Sequence, residues 1–262
     1  MRPWQADCNS GAEHTLANRP PGSVNIPATT MSAPIALPGL TLQRLALPQH
    51  LSTYKAAAFD MDSTLINIEC IDEIADAVGK KAEVAAITEA AMRGEITDFK
   101  DSLRRRVALL KGVPAEALEE VYFLRLRLNP GAEVLMKALK AAGLRTMLVS
   151  GGFTHFADRV RARLDMDEAH SNTLAIEGGL LTGEVLGDIV DGEAKKQHLL
   201  RLCREIGCEP RQAIAVGDGA NDLPMMGEAG LSVAYHAKPK VREQAKVAIT
   251  EGGLDRLLAL FA

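Results

Sequence analysis

Asp60 and Asp62 flank Met61 at the end of the apolar run Ala56-Ala57-Ala58-Phe59. In extended chain, residues two apart face the same way. The two carboxylates therefore converge on one point while Met61 turns away. Close carboxylates repel unless a cation or a shared proton relieves them. A hard dication with oxygen ligands, Mg²⁺, is the expected partner. A solvated Asp-x-Asp turn reads the same way in isolation, so the clusters further along the chain decide the matter.

Three of them carry residue types that suit a phosphoryl group. Val149-Ser150-Gly151-Gly152 puts a hydroxyl and glycine N–H groups where a strand should end, and such groups cradle phosphate oxygens. Alone, Ser-Gly-Gly after a strand is most often a turn. Lys195 lies on an expected helix over 194–206, where a lysine would neutralise a phosphoryl oxygen. Lys196 competes for that role, and a solvated surface lysine is the ordinary alternative for either. Gly217-Asp218-Gly219-Ala220-Asn221-Asp222 joins glycines that allow close approach to a ligand with two carboxylates one helical turn apart. Asp218, at a strand end, would complete the metal site.

These clusters need a scaffold that brings strand ends together. Residues 56–59 read as a buried strand. Ile68, Ile71, Ile74, Ala75 and Val78 recur at helical spacing, with Gly79 as a stop. Helical patterns follow over 82–92, 98–111 and 114–127, so 68–129 is expected to be an all-helical insert. After Asn129-Pro130-Gly131 a helix is expected over 132–142 and a strand over 146–149. Glycines between β-type segments over 172–190 suggest hairpins. Strands are expected over 213–216, 231–234 and 247–250. This alternation points to an α/β fold with a doubly wound parallel sheet, Rossmann-like, interrupted by the helical insert. In such sheets ligands bind beyond the carboxyl ends of the strands, where the polar clusters lie.

The first 48 residues hold 7 of the 12 prolines. Residues 1–50 are expected to form a disordered or extended tail, most clearly over 1–30. Residues 51–67 and 130–262 would form the α/β core and 68–129 the cap. A net charge of −4 gives no general attraction to nucleic acid or anionic lipid. An anionic ligand must therefore be held by a local positive site. No apolar stretch reaches the roughly 18–20 residues of a membrane span, and no membrane partner is expected. The spacing of Cys8, Cys70, Cys203 and Cys208 suggests neither a zinc site nor a disulfide framework. A cytoplasmic, reducing setting is expected. The histidines show no metal-ligand spacing. Monomer and homodimer stay equally open.

Taken together, Asp60-Met61-Asp62-Ser63-Thr64, Ser150-Gly151, Lys195 and Gly217-Asp218-Gly219-Ala220-Asn221-Asp222 resemble, in order and separation, the four motifs of the haloacid dehalogenase superfamily. The insert resembles that superfamily's type 1 helical cap. Within it the chain is most similar to the phosphoserine phosphatase family, over residues 54–262. The likeness extends to Glu69-Cys70-Ile71-Asp72-Glu73-Ile74-Ala75, Ser102-Leu103-Arg104-Arg105-Arg106-Val107 and Ala234-Tyr235-His236-Ala237-Lys238-Pro239-Lys240.

The resemblance implies hydrolysis of O-phospho-L-serine to serine and phosphate, the closing step of phosphorylated serine biosynthesis. Asp60 would be the nucleophile that forms an aspartyl-phosphate, and Asp62 the general acid and then base. The Asp60 and Asp218 side chains and the Asp62 carbonyl would bind Mg²⁺. Ser150, Gly151, Lys195 and Asn221 would hold the phosphoryl group, with Asp222 supporting Lys195 or the metal's waters. Glu69 would meet the substrate ammonium and Arg106 its carboxylate, under apolar Met92 and Phe99. Gly79 and Asn129-Pro130-Gly131 are candidate hinges for the cap. Other small phosphomonoesters, phosphohomoserine and phosphoethanolamine among them, remain as alternatives. A phospho-aspartate receiver switch fits poorly, because its acidic pair precedes the phosphorylated Asp on another strand.

Overall fold

Phe59, the last residue of the first predicted strand, is fully buried, as are the three alanines before it. Ala57 and Phe59 join one core cluster, Ala56 and Ala58 the other. Period-2 alternation thus feeds two hydrophobic layers, as a strand covered on both faces must. The computed structural model describes residues 37–262 apart from 38, 44, 93 and 94. The tail expected over 1–30 lies outside the described residues.

Among the described residues the strands form one eight-stranded sheet. They are β1 Leu40–Leu42, β2 Ala56–Phe59, β3 Arg145–Phe153, β4 Glu168–Glu177, β5 Leu180–Leu186, β6 Ala213–Gly217, β7 Leu231–Tyr235 and β8 Val247–Ile249. Their order is β1-β8-β7-β6-β2-β3-β4-β5. The inner pairs are parallel, and β1 and β5 run antiparallel at the two edges. The chain winds from β2 through β3 to β4 on one side, then through β6, β7 and β8 on the other. The direction reverses between β2 and β6, and that reversal opens a crevice at their carboxyl ends.

The helices are α1 Cys70–Ala77, α2 Lys81–Met92, α3 Phe99–Ala108, α4 Glu116–Glu120, α5 Ala132–Ala141, α6 Thr154–Arg163, α7 Gly192–Glu205, α8 Leu223–Glu228 and α9 Pro239–Gln244. Residues of α5 and α6, such as Leu135, Leu139 and Phe156, pack in the layer of Phe59. Leu199, Leu202 and Met225 of α7 and α8 pack on the opposite layer. The smaller α1–α4 layer sits between β2 and α5 in the chain and above the crevice.

Several expectations need correction. The tail expected over 1–50 ends early: Leu40–Leu42 pairs with Val247–Ile249, and Gln49 exchanges backbone hydrogen bonds with the C-terminal residues Leu260 and Ala262. β3 does not stop at Val149. It continues through Ser150-Gly151-Gly152 to Phe153, with a register shift against β4 between Val149 and Phe153. The helix α6 carries no expectation in the sequence. Residues 168–186 form a single hairpin turning at Gly178-Gly179. The helix expected over 114–127 stops at Glu120 and widens into a π turn over Val121–Arg125, closed by Leu126 N–H donating to the Val121 carbonyl at 3.0 Å.

The joint between the helical layer and the sheet is paired. Ile66 bridges Leu128, Asn67 N–H donates to the Arg127 carbonyl at 3.0 Å, and Asn129 N–H to that of Leu65 at 2.9 Å. The Asn129 side-chain amide donates to the Thr64 and Ile66 carbonyls, both at 2.9 Å. Gly79 lies between α1 and α2, away from this joint. Gly131 is braced: at φ 78° a Cβ would fall 2.1 Å from Asp255 Oδ1. We expect Asn129→Ala to orphan these carbonyls at about 1–2 kcal/mol and to lower the thermal midpoint by about 2–8 °C. An unchanged midpoint in a thermal scan would show that the joint does not depend on this amide.

Candidate active site

Asp60 follows β2 directly, and its N–H continues the ladder by donating to the Val216 carbonyl at 3.0 Å. Its carboxylate is thereby fixed at the carboxyl end of the sheet, 5 % exposed. Lys195 comes from α7 on the neighbouring layer and is fully buried. Its ammonium donates to Asp60 Oδ1 and Asp222 Oδ1, each at 2.7 Å. α7 starts two residues earlier than expected because Asp191 caps it, accepting from Ala194 N–H at 2.9 Å. Lys196 points elsewhere, pairing with Glu193 at 2.8 Å. Of the two lysines only Lys195 is buried against the carboxylates, since adjacent positions on a helix face different ways.

Asp222 is fully buried. Besides Lys195 it receives the N–H groups of Asp218 and Gly219 on Oδ2, at 3.1 and 3.0 Å. It therefore shapes the loop after β6 and anchors the lysine at once. Carboxylate oxygens of Asp60, Asp218 and Asp222 lie within 4.8 Å of one another. Burial pushes the Asp60 carboxyl well above the usual range, and Asp222 adds to this while Lys195 opposes it. Asp218 is pushed up to about 7, by burial first and Asp222 next. Burial works against the charge on Lys195, but Asp222 and Asp60 together raise its pKa.

Three carboxylates facing one buried ammonium leave the cluster short of positive charge. This donor set fits a hard divalent cation, which would relieve the repulsion that now favours protons. Asp222 belongs to the cluster by distance, yet its oxygens are already taken by Lys195 and the loop N–H groups.

Asp62 lines the same cavity, of about 410 Å³. Its Oδ2 accepts from Cys70 N–H at 3.4 Å, and its Oδ1 is buried without a hydrogen-bond partner. Burial and then Glu69 push its carboxyl up to about 7. A carboxyl poised there can donate and later accept a proton near neutral pH.

The Ser150 hydroxyl accepts from Gly152 N–H at 2.9 Å. Its own hydrogen is thus left for another acceptor. At Gly151 a Cβ would sit 2.8 Å from Phe99 Cζ of α3, so a side chain there would have to displace that ring. Asn172 holds this cradle from β4: its amide donates to the Gly151 carbonyl and its oxygen accepts from Val190 N–H, both at 2.8 Å. The polar residue inside an otherwise strand-like run was its signal in the sequence.

Glu69 and Arg106 reach the cavity from α1 and α3, and Asn221 lines it from the loop after β6. Glu69 makes no capping hydrogen bond to α1; its Oε1 accepts from the Ser63 hydroxyl at 2.7 Å. Ser63 holds φ at 57°, an uncommon conformation for a non-glycine residue. Burial lowers the Arg106 pKa while Asp72, Glu69 and Asp62 support its charge. Phe99 also lines the cavity; the Met92 side chain lies outside the described residues. Lys100 of α3 pairs with Asp191 at 3.2 Å, tying the helical layer to α7. Thr88, Asp72 and Lys238 line the cavity too, without having been singled out by the sequence.

A buried carboxylate at a strand end, a buried lysine, a serine-glycine cradle and an acidic cluster make a site suited to handling a phosphoryl group. A model of the haloacid dehalogenase-like hydrolases matches residues 54–230, and the chain belongs to that family. Among its relatives, a phosphoserine phosphatase of Polaromonas sp. is 66% identical over 85% of this chain and 96% of the relative. One of Haemophilus influenzae is 48% identical over 84% of this chain and 70% of the relative. Of solved structures, a phospho-aspartyl intermediate analogue of phosphoserine phosphatase aligns with TM-score 0.74 at 40% identity, covering 80% of this chain and 99% of the other. A substrate-bound phosphoserine phosphatase complex aligns with TM-score 0.74 at 39% identity over the same shares.

Proposed function

We propose that the protein hydrolyses O-phospho-L-serine through an aspartyl-phosphate on Asp60, with Mg²⁺ as cofactor. The observation that carries the substrate is the placing of Glu69 and Arg106 in the cavity that holds Asp60, Ser150 and Gly151. Asp60, Ser150 and Gly151 in that cavity suit a phosphate, while Glu69 offers an acid for an ammonium and Arg106 a guanidinium that can grip a carboxylate with two parallel hydrogen bonds. The relatives' names point the same way.

Lys195 takes one Asp60 oxygen and leaves the other free to attack phosphorus. The P–O bond to the serine oxygen breaks as the new one forms, and Asp62 supplies the proton that makes the leaving group serine. Asp62, now ionised, takes a proton from water as that water attacks the phosphorus of the aspartyl-phosphate. This breaks the bond to Asp60 and frees phosphate. The Ser150 hydroxyl, Gly151 N–H, Asn221 and the Lys195 ammonium neutralise the phosphoryl oxygens throughout. Mg²⁺, held by Asp60, Asp218 and the Asp62 carbonyl, would supply charge neutralisation at the phosphoryl group when bound. The α1–α4 layer, residues 68–129, serves as a cap whose Phe99 covers the cradle and excludes water. The free thiols Cys70, Cys203 and Cys208 fit a reducing cytoplasm.

The test is phosphate release from L-phosphoserine, phosphohomoserine, phosphoethanolamine and phosphocholine, with Mg²⁺ and with EDTA. Phosphoserine should give the highest kcat/KM, EDTA should abolish turnover, and excess Mg²⁺ should restore it. Mg²⁺ at about 100 times its Kd should also stabilise the fold by about 2.7 kcal/mol, a rise of about 5–11 °C in thermal midpoint. A better substrate without the carboxylate would overturn the substrate reading. Full turnover in EDTA would overturn the cofactor reading.

A further inference from the structure

Asp72 stands in the first turn of α1, three residues after Glu69, and both line the cavity. Its Oδ1 is buried and has no hydrogen-bond partner. A buried carboxylate oxygen without a donor costs free energy, so its place on a ligand cavity asks what donor it meets. Arg106 is the cation that most favours the charge on Asp72, and Asp72 outranks Glu69 and Asp62 in favouring the charge on Arg106. Lys81, the other cation acting on Asp72, already pairs with Glu73 and Asp76.

Arg106 itself is barely held. Its Nε donates to the Ser102 carbonyl at a long 3.4 Å, and among the described residues no hydrogen bond or ion pair engages its two terminal nitrogens. A guanidinium carries five N–H donors in one plane and can serve two carboxylates on different edges.

We propose that Asp72 is a positioning residue for Arg106: with substrate bound, its unpartnered carboxylate oxygen takes one edge of the unengaged guanidinium, a pairing not made in this structure, so that the other edge faces the carboxylate of the substrate. The inference rests on the reading of Arg106 as the partner of that carboxylate. It adds that an arginine alone does not suffice, since a free fork must be fixed in plane before it can select.

Kinetics on phosphoserine and phosphoethanolamine, which lacks the carboxylate, test this with Asp72→Asn, Arg106→Ala and the double variant. Asp72→Asn should raise KM for phosphoserine about tenfold with kcat within about threefold, the signature of lost substrate binding. Phosphoethanolamine kcat/KM should stay within about twofold, and in the Arg106→Ala background Asp72→Asn should add less than about twofold. Asp72→Glu, which keeps the charge, should recover most of the loss. Parallel losses on both substrates would overturn the inference, because Asp72 would then act on the ammonium or on the fold. So would an effect that persists without Arg106, or an unchanged KM. Wild type that fails to favour phosphoserine over phosphoethanolamine would overturn the functional reading and this inference together. Wild type that favours it, with Asp72→Asn kinetics unaltered, would overturn this inference alone.

Discussion

Asp60→Asn should lower kcat by about 10⁴-fold or more while leaving a folded protein. The amide keeps an oxygen for the 2.7 Å hydrogen bond from Lys195 but is no nucleophile toward phosphorus. Stability should not suffer. Asp60, Asp218 and Asp222 crowd one another, and removing one charge relieves the repulsion that raises the Asp60 and Asp218 carboxyls. Thermal melting without added metal should therefore match or exceed wild type. Phosphate release and a melting scan on one preparation check both halves. A variant that melts near wild type yet keeps a tenth of its turnover would remove Asp60 from the chemistry.

Lys195→Met should fail in the opposite pattern, losing both activity and stability. Its ammonium is the buried cation between Asp60 and Asp222. Truncating one partner of a buried ion cluster leaves uncompensated charge and costs about 3–5 kcal/mol, or about 6–20 °C in thermal midpoint for a chain of this size. The orphaned carboxyls will tend to take up protons, and this sets the sign of the pH dependence. An acid whose folded pKa lies above its unfolded value stabilises the fold at low pH and loses that contribution as pH rises. The melting gap between Lys195→Met and wild type should therefore widen from about pH 5 to pH 8. Turnover should fall by about 10²–10³-fold or more with the loss of a preorganised cation at the phosphoryl oxygens. Lys196→Met removes a solvent-screened pair with Glu193 and should leave the thermal midpoint close to that of wild type. If the Lys196 variant were the inactive one, the assignment of the lysine would be reversed.

The parts of this molecule legible in the sequence were those whose signal is local. β2 and β6 are short apolar runs buried on both faces, and each is followed directly by the acidic residue it positions. The run from Leu199 to Cys203 shows a helix whichever lysine precedes it. The rest depends on tertiary context. Ser150-Gly151-Gly152 reads as a turn because glycine marks turns, yet β4 alongside and Asn172 beneath hold it extended. β1 hides in a proline-rich stretch, since what makes Leu40–Leu42 a strand is the exposed edge of β8. Helix α6 buries only Phe156, Ala157 and Val160, a stripe too narrow to stand out among its charges. At the site, the types of Asp60, Asp62, Lys195 and Asp218 were informative because few structures need them together. Asp72 was not, because an acid in the first turn of a helix has an ordinary reason to be there; that its oxygen is buried without a partner on the cavity wall shows only in the folded chain.

The central claim is that phosphate passes through Asp60. The direct measurement is to quench steady turnover of L-phosphoserine with acid, reduce part of the sample with borohydride and map both halves by peptide mass spectrometry. A phosphoryl group on the peptide that contains Asp60, replaced after reduction by homoserine at position 60, is the predicted result. Trapped phosphate on any other residue, with Asp60 recovered unmodified, would contradict it.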